Sequence, residues 1–121
     1  MRSSMESLVK LKNDMEKDLL KNILPYWLNN TLDEKNGGFI GQVNHTNDKI
    51  WSAPKGGILN ARILWTFSAC FKKYGTEEYK IAAHRAYNYI KDFFIDKENG
   101  GIYWTVDHKG NPLDDRKHVY A

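Results

Sequence analysis

The feature that most constrains the fold of this chain is an internal repeat. Residues 33–45 (DEKNGGFIGQVNH) align with residues 96–108 (DKENGGIYWTVDH), at an offset of 63 positions from Asp33 to Asp96. Each copy has an acidic, polar turn, then a Gly-Gly pair, then a short run of β-prone residues. Glycines supply positive φ at little steric cost, and the residues after them are typical of short strands. The repeat therefore predicts two copies of one structural unit.

The stretch before the first turn predicts an amphipathic helix from about residue 4 to residue 29. Its apolar residues recur at spacings of three and four, and the lysines between them are left for water. Pro25 lacks a backbone N–H and restricts the residue before it, so it predicts a kink or a break near Leu24. The apolar positions of this helix are Leu8, Leu11, Met15, Leu19, Ile23 and Trp27.

Two further helices are predicted between the turns. Residues 57–74 are apolar almost all round, which predicts burial on most faces, and Gly75 follows in a position that favours a C-cap. The next helix has Thr76 as its N-cap and two glutamates in its first turn, and it closes near Asp96. Its predicted apolar stripe comprises Tyr79, Ala82, Ala83, Ala86, Tyr87, Ile90, Phe93 and Phe94.

One unit therefore contains a buried inner helix, an amphipathic outer helix and a Gly-Gly turn. Units of this kind cannot cover their own apolar faces, and about three in succession are usually needed for stability. The chain holds roughly two units, and residues 116–121 look like the start of another inner helix. We therefore expect residues 1–121 to form one partial all-α domain, truncated at its C-terminus, with short β-turn and hairpin insertions.

Composition and charge argue against several functional classes. The net charge is +3 with both signs interspersed, so the one-sided basic stripe of a nucleic-acid-binding protein is not visible. No apolar run approaches the ~20 residues that span a bilayer, and the N-terminus lacks the apolar stretch of a signal peptide. These observations predict a cytoplasmic protein that binds neither nucleic acid nor membrane. Cys70 is a single cysteine among apolar residues, so we expect a buried, inert thiol.

Arg62 is unusual because it introduces a charge into an otherwise apolar helix. Charged side chains are rarely buried without a partner. Arg62 therefore contacts a ligand in a pocket, pairs with an acid such as Asp14 or Asp114, or lies at an exposed helix position. Asp114 and Asp115 could be the paired carboxylates of a hydrolase, but their place after a Gly-Asn-Pro run favours a turn and a helix cap.

Histidines and tryptophans complete the set of candidate side chains. His84 is predicted on the solvated side of the outer helix, whereas His45 and His108 occupy matching repeat positions, which indicates a structural role. The spacings of the four histidines form no zinc motif, so no metal site is expected. For Trp51 and Trp104, stacking on a ligand and packing within a loop both stay open.

A longer run carries a family resemblance. Residues 55–69 (KGGILNARILWTFSA) closely resemble a signature of cellobiose 2-epimerases, which belong to the N-acylglucosamine 2-epimerase superfamily. The resemblance covers nearly the whole chain from about Met15 onward, and it is specific because several motifs occur in family order and spacing. The other matching stretches are residues 22–27 (NILPYW), 36–39 (NGGF), 100–107 (GGIYWTVD), 110–114 (GNPLD) and 117–121 (KHVYA).

The resemblance implies the N-terminal portion of an (α/α)6 barrel, whose inner and outer helices surround a sugar site at the mouth of the inner ring. It implies that Arg62 contacts sugar oxygens near the reacting carbons and that Tyr120 faces the same pocket. The catalytic histidines of the family lie in later helices and have no counterpart here, although His118 could approach the pocket. The implied substrate is a disaccharide or monosaccharide, no cofactor or metal is implied, and the oligomeric state is left open.

The reaction that the resemblance implies is C2 epimerisation of the reducing-end sugar of a β-1,4-linked disaccharide such as cellobiose or lactose. After ring opening, a base removes the C2 proton, an enediolate forms, and the proton returns to the opposite face. The segment by itself is expected to be inactive. Two alternatives stay open: a glycoside hydrolase on the same barrel, or a non-catalytic module that binds a partner or oligomerises.

Overall fold

Helices account for most of residues 2–117, which are the residues that the computed structural model of this chain describes. The chain divides into two units, Met1–Thr31 and Leu32–Ala121. The first unit is helical throughout its described length, and the second combines a helical hairpin with two Gly-Gly turns and a small sheet. This mostly helical architecture agrees with the fold class predicted from the sequence.

The first unit consists of helix α1 (Arg2–Asp18), a π-helical turn (Leu19–Ile23) and helix α2 (Leu24–Asn30). Pro25 lies in the first turn of α2, where its missing N–H leaves no helical hydrogen bond unmade. The predicted break near Leu24 is confirmed, and it takes the form of one wider helical turn. The observed limits are close to the predicted residues 4–29.

The apolar stripe of this first unit is less covered than an amphipathic pattern predicts. Leu24 is buried, but several large apolar side chains in the preceding turns are in solvent. Apolar residues at helical spacing form a face that can pack against another element. The spacing alone does not show that such an element covers the face. The exposed members of the predicted stripe are Leu8, Leu11, Met15 and Ile23.

The second unit is built on a hairpin of helix α3 (Gly57–Tyr74) and helix α4 (Glu77–Tyr89). Gly75 ends α3 with φ of 69°, and its N–H donates to the carbonyl of Phe71 at 2.7 Å, as predicted for a C-cap. Thr76 occupies the predicted N-cap position of α4 in extended conformation, but its hydroxyl makes no capping hydrogen bond. The backbone of the hairpin therefore follows the sequence prediction closely.

Only one face of α3 is buried, so the prediction that this helix is buried on most faces is wrong for the described chain. Trp65, one turn beyond Arg62, is 73% exposed. An apolar sequence shows that a helix can be buried on every face. Each face is buried only if another element covers it. Cys70 is buried as predicted, and desolvation raises the pKa of its thiol, which keeps it protonated and inert. The buried residues of α3 are Gly57, Asn60, Ile63, Phe67 and Cys70.

The predicted apolar stripe of the outer helix is buried at five of its eight positions, including Phe94, half-buried at Ile90 and Phe93, and wrong at Tyr87. Tyr79, Ala82, Ala83 and Ala86 are buried as predicted, but Tyr87 is exposed. Tyr89 takes the buried position instead, because it lies three residues after Ala86 and so shares its face. A π-helical turn, Ile90–Phe94, ends this helix two residues before the predicted limit.

The two Gly-Gly turns have the same backbone hydrogen bonds, which confirms the repeat. In the Asp33 turn (residues 33–38), the N–H of Asp33 donates to Gly38 at 3.0 Å and that of Gly37 to Asp33 at 3.0 Å. In the Asp96 turn (residues 96–101), the N–H of Asp96 donates to Gly101 at 3.0 Å and that of Gly100 to Asp96 at 2.8 Å. An isolated antiparallel bridge flanks each turn, between Leu32 and Phe39 in the first copy and between Ile95 and Ile102 in the second.

A three-stranded antiparallel sheet in the order β1-β2-β3 connects the start of α3 to the hairpin after the second turn. The strands are β1 (Lys55–Gly56), β2 (Thr105–Val106) and β3 (Pro112–Asp114). Lys55 pairs with Val106, and the N–H of Gly57 continues the contact by donating to the carbonyl of Trp104 at 3.0 Å. A Cβ on Gly57 would lie 2.8 Å from the Tyr103 carbonyl, so only glycine fits there.

We predict that alanine is far more destabilising at Gly38 than at Gly100, although both have positive φ. At Gly100 (φ 80°) no atom lies within 4 Å of an added Cβ, so the cost is the left-handed backbone, about 1–2 kcal/mol. At Gly38 (φ 66°) the Cβ would lie 2.6 Å from Cδ2 of Tyr89, which adds roughly 1–3 kcal/mol. Urea denaturation of both variants measures the difference, and equal losses would contradict this packing.

Candidate functional site

Arg62 lies in the second turn of α3 with its side chain exposed. Within residues 2–117 it makes no hydrogen bond or ion pair, and the acids considered as its partners are engaged elsewhere. Asp14 accepts from Lys10 at 3.0 Å, and Asp114 accepts from Arg116 at 2.9 Å. Among the described residues, the guanidinium of Arg62 is thus left without an acidic partner, and a contact with a ligand stays a prediction.

The surface around Arg62 combines a cation with an aromatic ring. Trp65 follows three residues later and therefore lies on the same face of α3, between the small exposed residues Ala61 and Ser68. A guanidinium offers planar donors to hydroxyl and carbonyl oxygens, and an exposed indole offers an apolar face. Such a surface suits a polyhydroxylated ring. Sequence analysis overlooked Trp65, although its spacing from Arg62 could have revealed it.

Tyr120, the second predicted sugar-binding residue, lies outside the described residues, and so does His118. The pocket that was predicted to bring Arg62 and Tyr120 together therefore stays a prediction. The last described residue is Lys117, whose ammonium group lies 3.0 Å from a carboxylate oxygen of Asp96.

Lys55 holds the start of α3 and is almost completely buried. Its side chain is 1% exposed and that of Asp33 is 0% exposed, with 2.8 Å between Lys55 Nζ and Asp33 Oδ2. The same ammonium donates to the carbonyl of Gly37 at 2.9 Å and lies 4.6 Å from the centre of the Tyr89 ring. Burial is the main cause that raises the pKa of Tyr89 to about 12, so this ring is a neutral phenol.

Asp33 organises the first turn through both its side chain and its backbone. Burial opposes ionisation of this carboxyl, but the bond to Lys55 and the N–H groups of Asn36 and Lys35, at 2.9 and 3.0 Å, together hold its pKa below the ordinary value. From α4, Arg85 donates to the carbonyls of Gly38 and Asp33, each at 2.7 Å. The turn is thus bonded to the start of α3 and to the middle of α4.

The second turn repeats this arrangement in a more exposed setting. Asp96 accepts from the N–H groups of Asn99 and Glu98 at 3.0 and 3.1 Å, and from Lys117 at 3.0 Å. The Asn99 N–H and then Lys117 hold the pKa of Asp96 well below its usual range. The Lys117 ammonium lies 5.1 Å from the centre of the Tyr103 ring, as Lys55 lies over Tyr89.

The remaining candidates have ordinary surroundings. His84 is exposed on α4 as predicted, His45 is exposed, and His108 is half-buried. The Trp51 ring lies under the ammonium groups of Lys35 and Lys49, at 4.3 and 5.2 Å from its centre. Among residues 2–117, no group of three or more His, Cys, Asp or Glu side chains could hold a metal ion. No helix in that range is long and apolar enough to cross a membrane.

The acidic pair after the second turn has contacts that fit the predicted turn. Asp114 accepts from the N–H and the side chain of Arg116, and Asp115 is exposed. A separate open groove of about 600 Å³ lies along α4 between His84 and the first Gly-Gly pair. Arg62 does not line this groove, and Arg85, which does, is engaged with the turn.

Comparison with known proteins assigns the family. The sequence profile of the N-acylglucosamine 2-epimerase (GlcNAc 2-epimerase) family matches residues 17–121. The chain belongs to the N-acylglucosamine 2-epimerase family. The family resemblance predicted from the sequence is thereby confirmed.

Individual relatives place the chain near one branch of the N-acylglucosamine 2-epimerase family. It is 49% identical over 111 residues to a cellobiose 2-epimerase of Bacteroides fragilis and 42% identical to one of Dictyoglomus turgidum. Each match covers 92% of this chain and 28% of the relative, so the chain spans just over a quarter of the length of these curated relatives.

Solved structures of related proteins agree with this family assignment. The cellobiose 2-epimerase of Bacillus thermoamylovorans B4167 superposes with a TM-score of 0.87 at 40% identity, over 92% of this chain and 28% of that one. A D-mannose isomerase superposes with a TM-score of 0.70 at 22% identity, which concerns the fold alone. These matches confirm the predicted fold class, part of an (α/α)6 barrel.

We predict that Lys55→Met lowers the free energy of unfolding by about 3–5 kcal/mol, because it leaves the Asp33 carboxylate buried without its cation. The matched control is Lys10→Met, which breaks an ion pair whose side chains are 79% and 60% exposed. The control should cost at most about 1 kcal/mol. Denaturant unfolding of both variants measures the contrast, and a similar small loss in both would refute the buried pair.

We also predict how this pair responds to acid. A carboxyl whose pKa is lower when folded contributes stability that is complete above its unfolded pKa and is lost as the pH falls through the folded pKa. For Asp33, whose ordinary value is 3.8, the free energy of unfolding should therefore decline below about pH 4. The decline should be shallower in Lys55→Met, because the cation that lowers the pKa is gone. Acid titration followed by circular dichroism compares the two slopes, and identical slopes would contradict the assignment.

Proposed function

We propose that this chain supplies the Arg62 contacts of a carbohydrate 2-epimerase that resembles cellobiose 2-epimerase. The substrate class is a β-1,4-linked disaccharide such as cellobiose or lactose, epimerised at C2 of its reducing-end sugar. The observation that carries the proposal is the exposed guanidinium of Arg62, which has no partner within residues 2–117 and lies one turn before the exposed ring of Trp65, in the run KGGILNARILWTFSA. The cellobiose 2-epimerase relatives support the same substrate class.

The chemistry explains why an arginine is needed. Removal of the C2 proton next to a carbonyl places negative charge on oxygens of an enediolate. A guanidinium stays protonated throughout and presents planar donors, so it can orient the sugar and stabilise that charge without taking a proton. The proton-transferring groups are expected to be histidines outside this chain, because imidazole titrates near neutral pH.

Tyr120 is proposed to contact the same sugar from the start of the next inner helix. It stands three residues after Lys117, which is bonded to the Asp96 turn, and Arg62 stands seven residues after Lys55, which is bonded to the Asp33 turn. The proposal for Tyr120 is supported by this repeated arrangement and by the family match, which extends to residue 121.

One alternative keeps a specific observation in its favour. The exposed apolar side chains of α1, such as Leu8 and Met15, would suit a module that oligomerises or binds a partner. The glycoside hydrolase alternative has less support, because Asp114 is engaged by Arg116 and the relatives are epimerases. A single partial domain over residues 1–121, a cytoplasmic location, and a reaction without cofactor or nucleic acid all stay predictions.

We expect the 121-residue chain alone to have negligible epimerase activity, because the proton-transferring histidines are expected elsewhere. Incubation with cellobiose or lactose, followed by chromatography of the products, measures this. Turnover at the rate of an ordinary enzyme would overturn the division of roles proposed here. Light scattering of the same sample tests the alternative, since a defined oligomer with no sugar binding would favour an association module.

In the full-length protein that carries this chain, we expect Arg62→Ala to lower kcat/KM by at least about 100-fold, because a charged donor to the enediolate is lost. Lys72→Ala is the matched control, since it removes an exposed cation from the last turn of the same helix. The control should leave the kinetics close to those of the parent. Unchanged kinetics in Arg62→Ala would remove Arg62 from the site.

A further inference from the structure

We propose that Lys55 and Asp33 are positioning residues: their buried pair holds the first two turns of α3 and thereby the position of Arg62. The inference rests on the proposed function, because it concerns the same sugar-binding face. Lys55 directly precedes Gly56 and Gly57, and Arg62 follows seven residues after it. Lys55 lies in β1, just before α3 begins at Gly57, and Arg62 lies in the second turn of the helix, so Lys55 acts through the backbone of α3.

The start of α3 lacks the usual local means of holding a helix end. Its N-cap is Gly56, no side chain caps the first N–H groups, and the first turn contains no acidic residue. Order at this end therefore depends largely on tertiary contacts, among them the N–H of Gly57, which donates to the Trp104 carbonyl at 3.0 Å. A local bond is added by the side-chain amide of Asn60, which donates to the Gly56 carbonyl at 2.8 Å. Lys55 supplies the remaining attachment.

The Lys55 attachment is specific in geometry. One ammonium group reaches a carboxylate oxygen of Asp33, the carbonyl of Gly37 and the face of the Tyr89 ring, which fixes its direction. Buried ion pairs add little net stability compared with well-packed apolar residues, so a gain in geometric definition accounts better for this one. Arg85 holds the opposite side of the turn, at Gly38, so the anchor is itself bonded to α4.

The recurrence of the pair is an independent observation. Lys117 bonds to Asp96 as Lys55 bonds to Asp33, and each aspartate occupies the same position of its turn. Arg62 follows Lys55 by seven residues, and Tyr120 follows Lys117 by three, so each lysine precedes a proposed sugar contact.

The first measurement is independent of catalysis. Amide hydrogen exchange in the full-length protein is compared between the parent, Lys55→Met and the milder Asp33→Asn, which keeps an acceptor for the turn. We expect exchange at residues 57–62 to accelerate at least tenfold in both variants, with residues 67–74 of the same helix little changed. Lys10→Met is the control and should change neither segment. Uniform acceleration along α3, or none at residues 57–62, would overturn the proposal.

The second measurement, of kcat/KM, tests whether the position of Arg62 affects catalysis. At a temperature where both variants are folded, kcat/KM for cellobiose should fall about 10- to 100-fold, as for residues that orient a ligand-binding group. In an Arg62→Ala background, Lys55→Met should lower kcat/KM by less than about twofold, since the group it positions is gone. If Lys55→Met lowered kcat/KM equally in the parent and in Arg62→Ala, the Lys55–Asp33 pair would be a structural contact and not a positioning one.

Hydrogen exchange and kinetics together distinguish a failure of the proposed function from a failure of the positioning role. Altered exchange at residues 57–62 in a protein without epimerase activity would refute the proposed function and leave the positioning of α3 intact. Normal activity of the parent with unaltered exchange and kinetics in Lys55→Met would refute the positioning role and leave the proposed function intact.

Discussion

An ammonium group that is 1% exposed stays charged only if its surroundings replace the water it has lost. Around Lys55 this is done by the Asp33 carboxylate, the Gly37 carbonyl and the Tyr89 ring. These groups come from two parts of the second unit: the Asp33 turn supplies the carboxylate and the carbonyl, and α4 supplies the ring. The pair therefore requires the turn, the start of α3 and the end of α4 to be correctly placed at once, and the rest of the unit is consistent with that single requirement.

The same interaction recurs with Asp96 and Lys117, but its lysine side chain is 36% exposed. The two copies differ in what surrounds them, because α4 covers the first turn and contributes Arg85 to it. A repeat of this type gains burial from the following unit, so the more exposed second pair is the expected state of a turn at the edge of the described chain. The repeated element is thus an ionic contact between a turn and a helix start, within a helical hairpin.

The exposed face of α3 links fold to function. Its opposite face is buried, which leaves Arg62 and Trp65 pointing away from α4 without partners among the described residues that could satisfy the guanidinium. The chain belongs to the N-acylglucosamine 2-epimerase family, and our proposal is that this face contacts the substrate of the whole enzyme. The chemistry of the face, a permanent cation beside an aromatic ring, suits a polyhydroxylated ring.

The sequence by itself determined the two Gly-Gly turns, the limits of the helices to within a few residues, the C-cap at Gly75 and the family. These are local features, set by backbone conformation, spacing and motif. Only the tertiary structure decided that α3 is buried on one face, that Tyr89 and not Tyr87 packs inward, and that Lys55 finds Asp33 across 22 positions of sequence. Periodicity reports how apolar a surface is, but a long-range ion pair and the covering of a face depend on which elements meet, and that depends on packing.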